Sequence, residues 1–332
     1  MKHFNERSTN LLFEKNLLNE EQKNVITNYR SLNIFSLNGE LKLFLYLSVL
    51  LFTSGIGILI YDNIDTIGHS VLIGLVLITT FICYYFSFKK VPPFQKEKVN
   101  FESPVMDYIV LTANLLSCLF IAYLQFQYNT FGTNYGLAIL IPTALGLFSG
   151  YYFDNKNVLS LAITGLAAYI GLTVTPQSLL HNDFYNTDAL SFAAIGLGIV
   201  LLAWNYYSNQ INLKKHFSLV FLTFALHLIS ISCLNNLTEN FWFLFVLILA
   251  ATTYYFYKVS YQQKSVSLFV FTLLYAFIGA NISFYKIIEM INLNDFFAIL
   301  LTFSPFYFIG FIYIFIKMIK KFNTEIKDDS IR

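Results

Sequence analysis

His227 stands in the middle of the apolar run LVFLTFALHLISISCL, and Asn114 and Asn281 stand inside two other apolar runs. An ionisable group at membrane depth is a functional candidate, as a proton carrier or as the centre of an intramembrane reaction. The other reading of His227 is structural: a neutral ring hydrogen-bonded to a neighbouring helix. A coupled proton relay also wants a buried carboxylate, and no Asp or Glu sits centrally in an apolar run. The two asparagines are uncharged, and their amides suit hydrogen bonds between helices.

A second cluster lies in YDNIDTIGHS, residues 61–70, which packs Asp62, Asp65 and His69 into ten positions. Carboxylates with imidazole suit several divalent cations, and His181 and Asp183 of HND (181–183) could complete such a shell. The competing reading is a polar reversal between two helices. Asp62 and Asn63 then end the first helix, Gly68 supplies the relaxed dihedral, and Asp65 caps a short turn. We expect the turn, with no metal and no cofactor. Cys83, Cys118 and Cys233 are isolated, without metal-ligand spacing, and read as small apolar filler. The chain has no P-loop, nucleotide Gly-rich fingerprint, G-x-S-x-G elbow or H-E-x-x-H helix. It also lacks a concentrated nucleic-acid patch.

The elements that must position these residues follow from composition. Apolar residues make up 56% of the 332 positions, aromatics 18% and charged residues only 12%. A soluble domain carries about 25% charge, so the bilayer takes the place of a soluble core. Ten apolar runs long enough to cross a membrane fall near 43–61, 70–88, 105–125, 135–153, 157–174, 187–206, 217–234, 241–259, 264–284 and 297–318. Short connections make them antiparallel hairpins. The expected fold is an all-α polytopic bundle (42–319), preceded by a helical module (1–41) and followed by a tail (320–332). The first 40 residues are polar and predict no cleaved signal.

Charge placement agrees with ten spans. With that count, 20 of the 21 Lys and Arg residues fall on one face, and only Lys286 falls on the other. Basic residues stay in the cytoplasm, so both termini are expected there, in a bacterial inner membrane. The outer face carries a formal −6 against +8 inside. Runs returning to the cytoplasm end in tyrosine pairs, Tyr84-Tyr85, Tyr151-Tyr152, Tyr206-Tyr207 and Tyr254-Tyr255. Tyrosine favours the headgroup region, so these read as an aromatic belt. Lys286 and Glu289, three apart, can pair on a helix face.

In the first module, Asn19 with Gln22 three positions later forms a capping-box-like start, and Glu20 and Glu21 suit the first turn. Two short helices are expected here, available to a protein partner. The stretch FEKNLLNEEQKNVITNYRSLNIF, followed by the run ending TSGIGILIYDNID, resembles the start of a family of predicted bacterial membrane proteins of unknown function. That family has a cytosolic helical region, then a glycine-containing span ending near an Asn-Trp-Asp motif. Here Asn63-Ile64-Asp65 stands at the motif, with isoleucine in place of tryptophan. The resemblance covers roughly residues 10 to 150 and implies no activity.

Glycines cluster in the central runs, and Gly146-x-x-x-Gly150 has the spacing that lets helices approach closely. Pro142 and Pro305 fall inside spans four and ten, where they could kink them. Two functional readings survive. One is a non-enzymatic scaffold or accessory component of the cell envelope. The other is a transporter or flippase for a small molecule or lipid, resting on the glycine- and proline-containing helices. An intramembrane enzyme built on His227 is a minor third. A filled bundle favours the scaffold; a polar-lined interior void favours transport.

Overall fold

The computed structural model describes residues 9, 12–15, 17–31, 38–63, 68–99, 105–132, 134–174, 188–239, 241–291 and 294–329. The chain divides into two compact units, Met1–Phe52 and Thr53–Arg332. Its elements are α1 (Glu20–Ser31), α2 (Asn38–Asn63), α3 (His69–Lys90), α4 (Val105–Tyr128), α5 (Tyr135–Tyr152), α6 (Lys156–Val174), α7 (Asp188–Gln210), α8 (Ser218–Asn235), α9 (Trp242–Gln262), α10 (Val266–Met290) and α11 (Asn294–Asp329). A 3₁₀ turn at Lys215–Phe217 leads into α8. No strand occurs among the described residues.

Ten of these helices, α2 to α11, are long and apolar enough to cross a membrane. All ten expected spans are therefore present, most of them longer than the apolar runs that announced them. The reason is that backbone hydrogen bonding continues into the polar flanks, which the apolar pattern does not mark. The last case is the largest: α11 runs on to Asp329, so the span and most of the expected tail are one helix. Pro142 and Pro305 both lie inside helices.

Within the unit Thr53–Arg332 the closest associations are the hairpins α3–α4, α5–α6, α7–α8 and α9–α10. Helix α8 is the most enclosed, with 56% of its spanning window buried. It packs on α6, α7, α9 and α10. Ala225, Leu222 and Leu226 of α8 meet Leu159 and Ile163 of α6, Leu197 and Leu201 of α7, and Phe256 of α9. The outward faces carry large apolar side chains such as Phe81, Ile199, Phe243 and Ile309. Lipid, not protein, is the solvent for these.

Many hydroxyl side chains inside the spans are satisfied locally. Thr80, Ser117, Thr143, Thr252 and Thr272 each donate to the carbonyl four residues back on their own helix. Close approach is carried by glycine where it was expected. A β-carbon added at Gly150 would lie 3.1 Å from the Leu159 Cα, and one at Gly146 would lie 3.0 Å from the Ala162 Cβ. A side chain at either glycine would press on α6 at this distance, so the glycines favour the close approach of α5 and α6. Gly68 adopts φ +83° at the head of α3, a left-handed geometry that a side chain resists.

Of the tyrosine pairs, Tyr206-Tyr207 and Tyr254-Tyr255 are exposed at both positions and Tyr151-Tyr152 is half-buried at both, while Tyr84-Tyr85 divides between two environments, because successive helical residues point about 100° apart. Tyr85 is exposed, while Tyr84 turns inward to share a 3.3 Å hydrogen bond with the Ser149 hydroxyl. Tyr151 accepts the Trp204 indole N–H at 2.6 Å. Lys286 and Glu289 form the expected pair at 3.2 Å.

In the unit Met1–Phe52, α1 begins with a reciprocal capping box. The Gln22 N–H donates to Asn19 Oδ1 at 2.7 Å, and the Asn19 N–H donates to Gln22 Oε1 at 3.0 Å. Residues 12–14 are also helical. Asn19→Ala removes one of these bonds and is expected to cost about 1 kcal/mol of helix stability. Amide exchange across α1 should quicken about fivefold; unchanged exchange would mean the box does not hold the helix.

Candidate functional site

The strongest convergence of charged groups is at the lysine-rich end of the bundle, in connections that the apolar pattern leaves blank. Asp154 sits in the tight turn between α5 and α6 and Lys214 in the turn between α7 and α8. Both have left-handed backbones, with φ 56° and 47°. Asp and Asn tolerate this region better than most residues. Each side chain is only 1% exposed, and the Lys214 ammonium lies 3.2 Å from Asp154 Oδ2. The second oxygen, Oδ1, is hydrogen-bonded to His216 Nε2.

This pair clamps the strap 91–99 that joins α3 toward α4. The Val99 N–H donates to Asp154 Oδ2 at 2.5 Å. The Lys214 ammonium donates to the Glu97 carbonyl at 3.2 Å, and the Lys214 N–H donates to the Lys96 carbonyl at 2.7 Å. The ammonium also lies 5.4 Å from the centre of the Phe94 ring. Beside it, Asn155 caps α6, accepting the Asn157 and Val158 N–H groups at 3.0 and 3.1 Å. Its amide donates across to the Asp107 carbonyl on α4 at 2.7 Å. A single buried centre thus ties together the strap, the α5–α6 turn, the α7–α8 turn and α4. A charge is tolerated at such burial only when paired and hydrogen-bonded, and both partners meet that condition.

The residues singled out from sequence are distributed differently. His227 lies on α8, and its Nδ1 shares a 2.6 Å hydrogen bond with the Tyr275 hydroxyl of α10. Its ring also meets Phe271 edge-on at 4.7 Å. This is the interhelical bond of the structural reading. Asn114 is 1% exposed on α4, and its Nδ2 has no hydrogen-bond partner among the described residues. Its side chain lies at Gly146, where an added β-carbon would meet the amide at 3.3 Å. Asn281 donates to the Phe277 carbonyl one turn back on its own helix, 2.7 Å away, where an interhelical bond was expected. The i−4 carbonyl lies within reach of a short amide on any helix. Each of the three thus has its own immediate partner or neighbour: Tyr275 for His227, Gly146 for Asn114 and the Phe277 carbonyl for Asn281.

Of the outer cluster, Asp62 is exposed at the end of α2 and His69 opens α3, its Nδ1 2.8 Å from the Tyr123 hydroxyl of α4. Asp65, His181 and Asp183 lie outside the described residues. Among the described residues, no three His, Cys, Asp or Glu side chains converge as metal ligands would. Sequence reading passed over Asp154 and His216 and counted Lys214 only as a topological charge. The one available signal was that Asp154 is the sole carboxylate between Asp107 and Asp183.

Ten helices long and apolar enough to cross a membrane, most of them associated as hairpins, define a polytopic helical membrane protein. Residues 10–159 match the model of a family described as "Predicted membrane protein (DUF2157)", which bears out the resemblance read from the opening segment. The match ends in the first turn of α6 and so includes Asp154, while Lys214 and His216 lie beyond it. No curated protein and no solved structure matches the chain.

Proposed function

We propose that this chain is a non-enzymatic scaffold or accessory component of the cell envelope, a multi-pass protein of the bacterial cytoplasmic membrane with both termini inside. One observation carries this reading: the charged groups that converge are consumed by one another. Asp154 is occupied by Lys214, His216 and the Val99 N–H, leaving the centre to hold elements together. The filled core around α8 points the same way. Leu17 and Val25 in the unit Met1–Phe52 are exposed, at 66% and 64%. They support a role for the module 1–41 in docking to a protein partner, with 42–319 as the membrane part and 320–332 as a second cytosolic segment.

Reconstitution tests it. In proteoliposomes the full-length chain should move fluorescent phospholipid between leaflets no faster than protein-free vesicles do. Faster movement would establish the flippase reading instead. That second reading draws on a cleft of about 1250 Å³ at the far end of α4, α5 and α6, lined by Gln125, Asn134, Tyr169 and Thr173. The orientation has its own test. Cysteine placed at Gln95 should react with an impermeant maleimide only after lysis, and cysteine at Asn134 should react in intact cells. Reaction of both from one side would sink the ten-span topology.

A further inference from the structure

The outward face of the α9–α10 hairpin carries a groove of about 520 Å³. Its floor is made of small residues, Ala250 on α9 and Ala276, Gly279 and Ala280 on α10. It follows α9 from Val246 to Tyr257, about 16 Å at the helical rise of about 1.5 Å per residue. That is close to one leaflet of a hydrocarbon core about 30 Å thick. Toward the lysine-rich end the groove stops at Tyr254 and Tyr257. There the Lys258 ammonium rests 4.3 Å above the Tyr254 ring. We propose that this groove holds one acyl chain of an anionic phospholipid, with Lys258 at its phosphate.

Shape and charge point to the same occupant. Small side chains leave a channel open along its length to lipid, and the lining offers no charged group at membrane depth. Lys258 stands beside the lining residue Tyr254 at the headgroup end, where a lipid phosphate would be. Lys258 rests on the tyrosine face in a cation–π contact, which modestly favours this position of the charge. Nearby, Lys264 lies in the α9–α10 turn, and the end of α11 carries Lys317, Lys320 and Lys321, the last paired with Glu325 at 3.7 Å. The local balance is therefore positive. Basic residues beside clefts between spanning helices recognise anionic headgroups in this way.

Native mass spectrometry of the full-length protein tests the site, using phosphatidylglycerol and phosphatidylcholine as probes. Wild type should retain one phosphatidylglycerol in preference to phosphatidylcholine. Lys258→Gln should weaken phosphatidylglycerol retention about fivefold, the size of one lysine's attraction to an anionic surface, and leave phosphatidylcholine unchanged. Ala280→Phe and, separately, Ala250→Phe fill the groove from exposed positions, and each should abolish the retained lipid without lowering the unfolding midpoint. An unchanged lipid preference in Lys258→Gln overturns the proposal. So does lipid retention that survives both groove-filling variants. Conversion of a dimer to a monomer by those variants also overturns it, because the occupant is then a second copy of the chain.

Discussion

Asp154→Asn is expected to lower the stability of the full-length protein by about 3–5 kcal/mol, the cost of leaving one buried charge uncompensated. Asparagine keeps the size of the side chain, tolerates the left-handed backbone, and still accepts the Val99 N–H. What it removes is the negative charge facing Lys214, whose side chain is 1% exposed and has no water to turn to. The measurement is the unfolding midpoint of detergent-solubilised protein, read beside the accessibility of a cysteine at Gln95 on the strap. The midpoint should fall and the strap should become more reactive. Adding Lys214→Met should restore much of the loss, because replacing both members of a buried pair costs far less than removing one. A single variant that melts with wild type would show that the pair does not hold the three connections.

The second large effect is expected at Gly150. A β-carbon there would lie 3.1 Å from the Leu159 backbone, so the larger side chain of Gly150→Leu is expected to push α5 and α6 apart. Overpacking of this kind costs about 1–3 kcal/mol, and more where backbone has to move. Gly150→Ala should destabilise less, in a graded series. Gly196 on α7 supplies the contrast, since nothing lies within 4 Å of a β-carbon added there. Gly196→Ala should be neutral or slightly stabilising, because alanine favours the helix by about 1 kcal/mol over glycine. If both alanine variants stabilise equally, helix propensity decides the outcome and the close approach at Gly150 carries no weight. These two experiments address different interactions. One concerns charge at the lysine-rich end, the other van der Waals contact within the α5–α6 hairpin.

His227 shows how far sequence reasoning reaches in a membrane chain. Its depth was legible because the apolar run on either side is long enough to fix its position along the span. Its partner was not legible. Tyr275 lies 48 residues further on, and only the packing of α10 on α8 brings the hydroxyl to the ring. The same holds at Asn281, whose bond is to its own helix although the side chain's chemistry would serve equally well between helices.

By itself, the sequence determined what one-dimensional physics determines. Apolar length set the ten spans, because each must cross the same hydrocarbon thickness. Short connections between successive runs set the hairpin order. Local geometry set the Asn19–Gln22 capping box and the left-handed dihedral of Gly68, since those features reach only a few residues. Tertiary structure alone decided which charges are buried. Lys214 and Lys215 are adjacent and chemically alike, yet Lys214 is enclosed against Asp154 and the strap, while Lys215 is exposed. Nothing in their sequence neighbourhood separates them. The distinction arises because a left-handed turn at Lys214 aims one ammonium into a space framed by chain 60 and more than 100 residues away. Convergence over such separations depends on how hairpins pack, and that is a property of the assembled bundle.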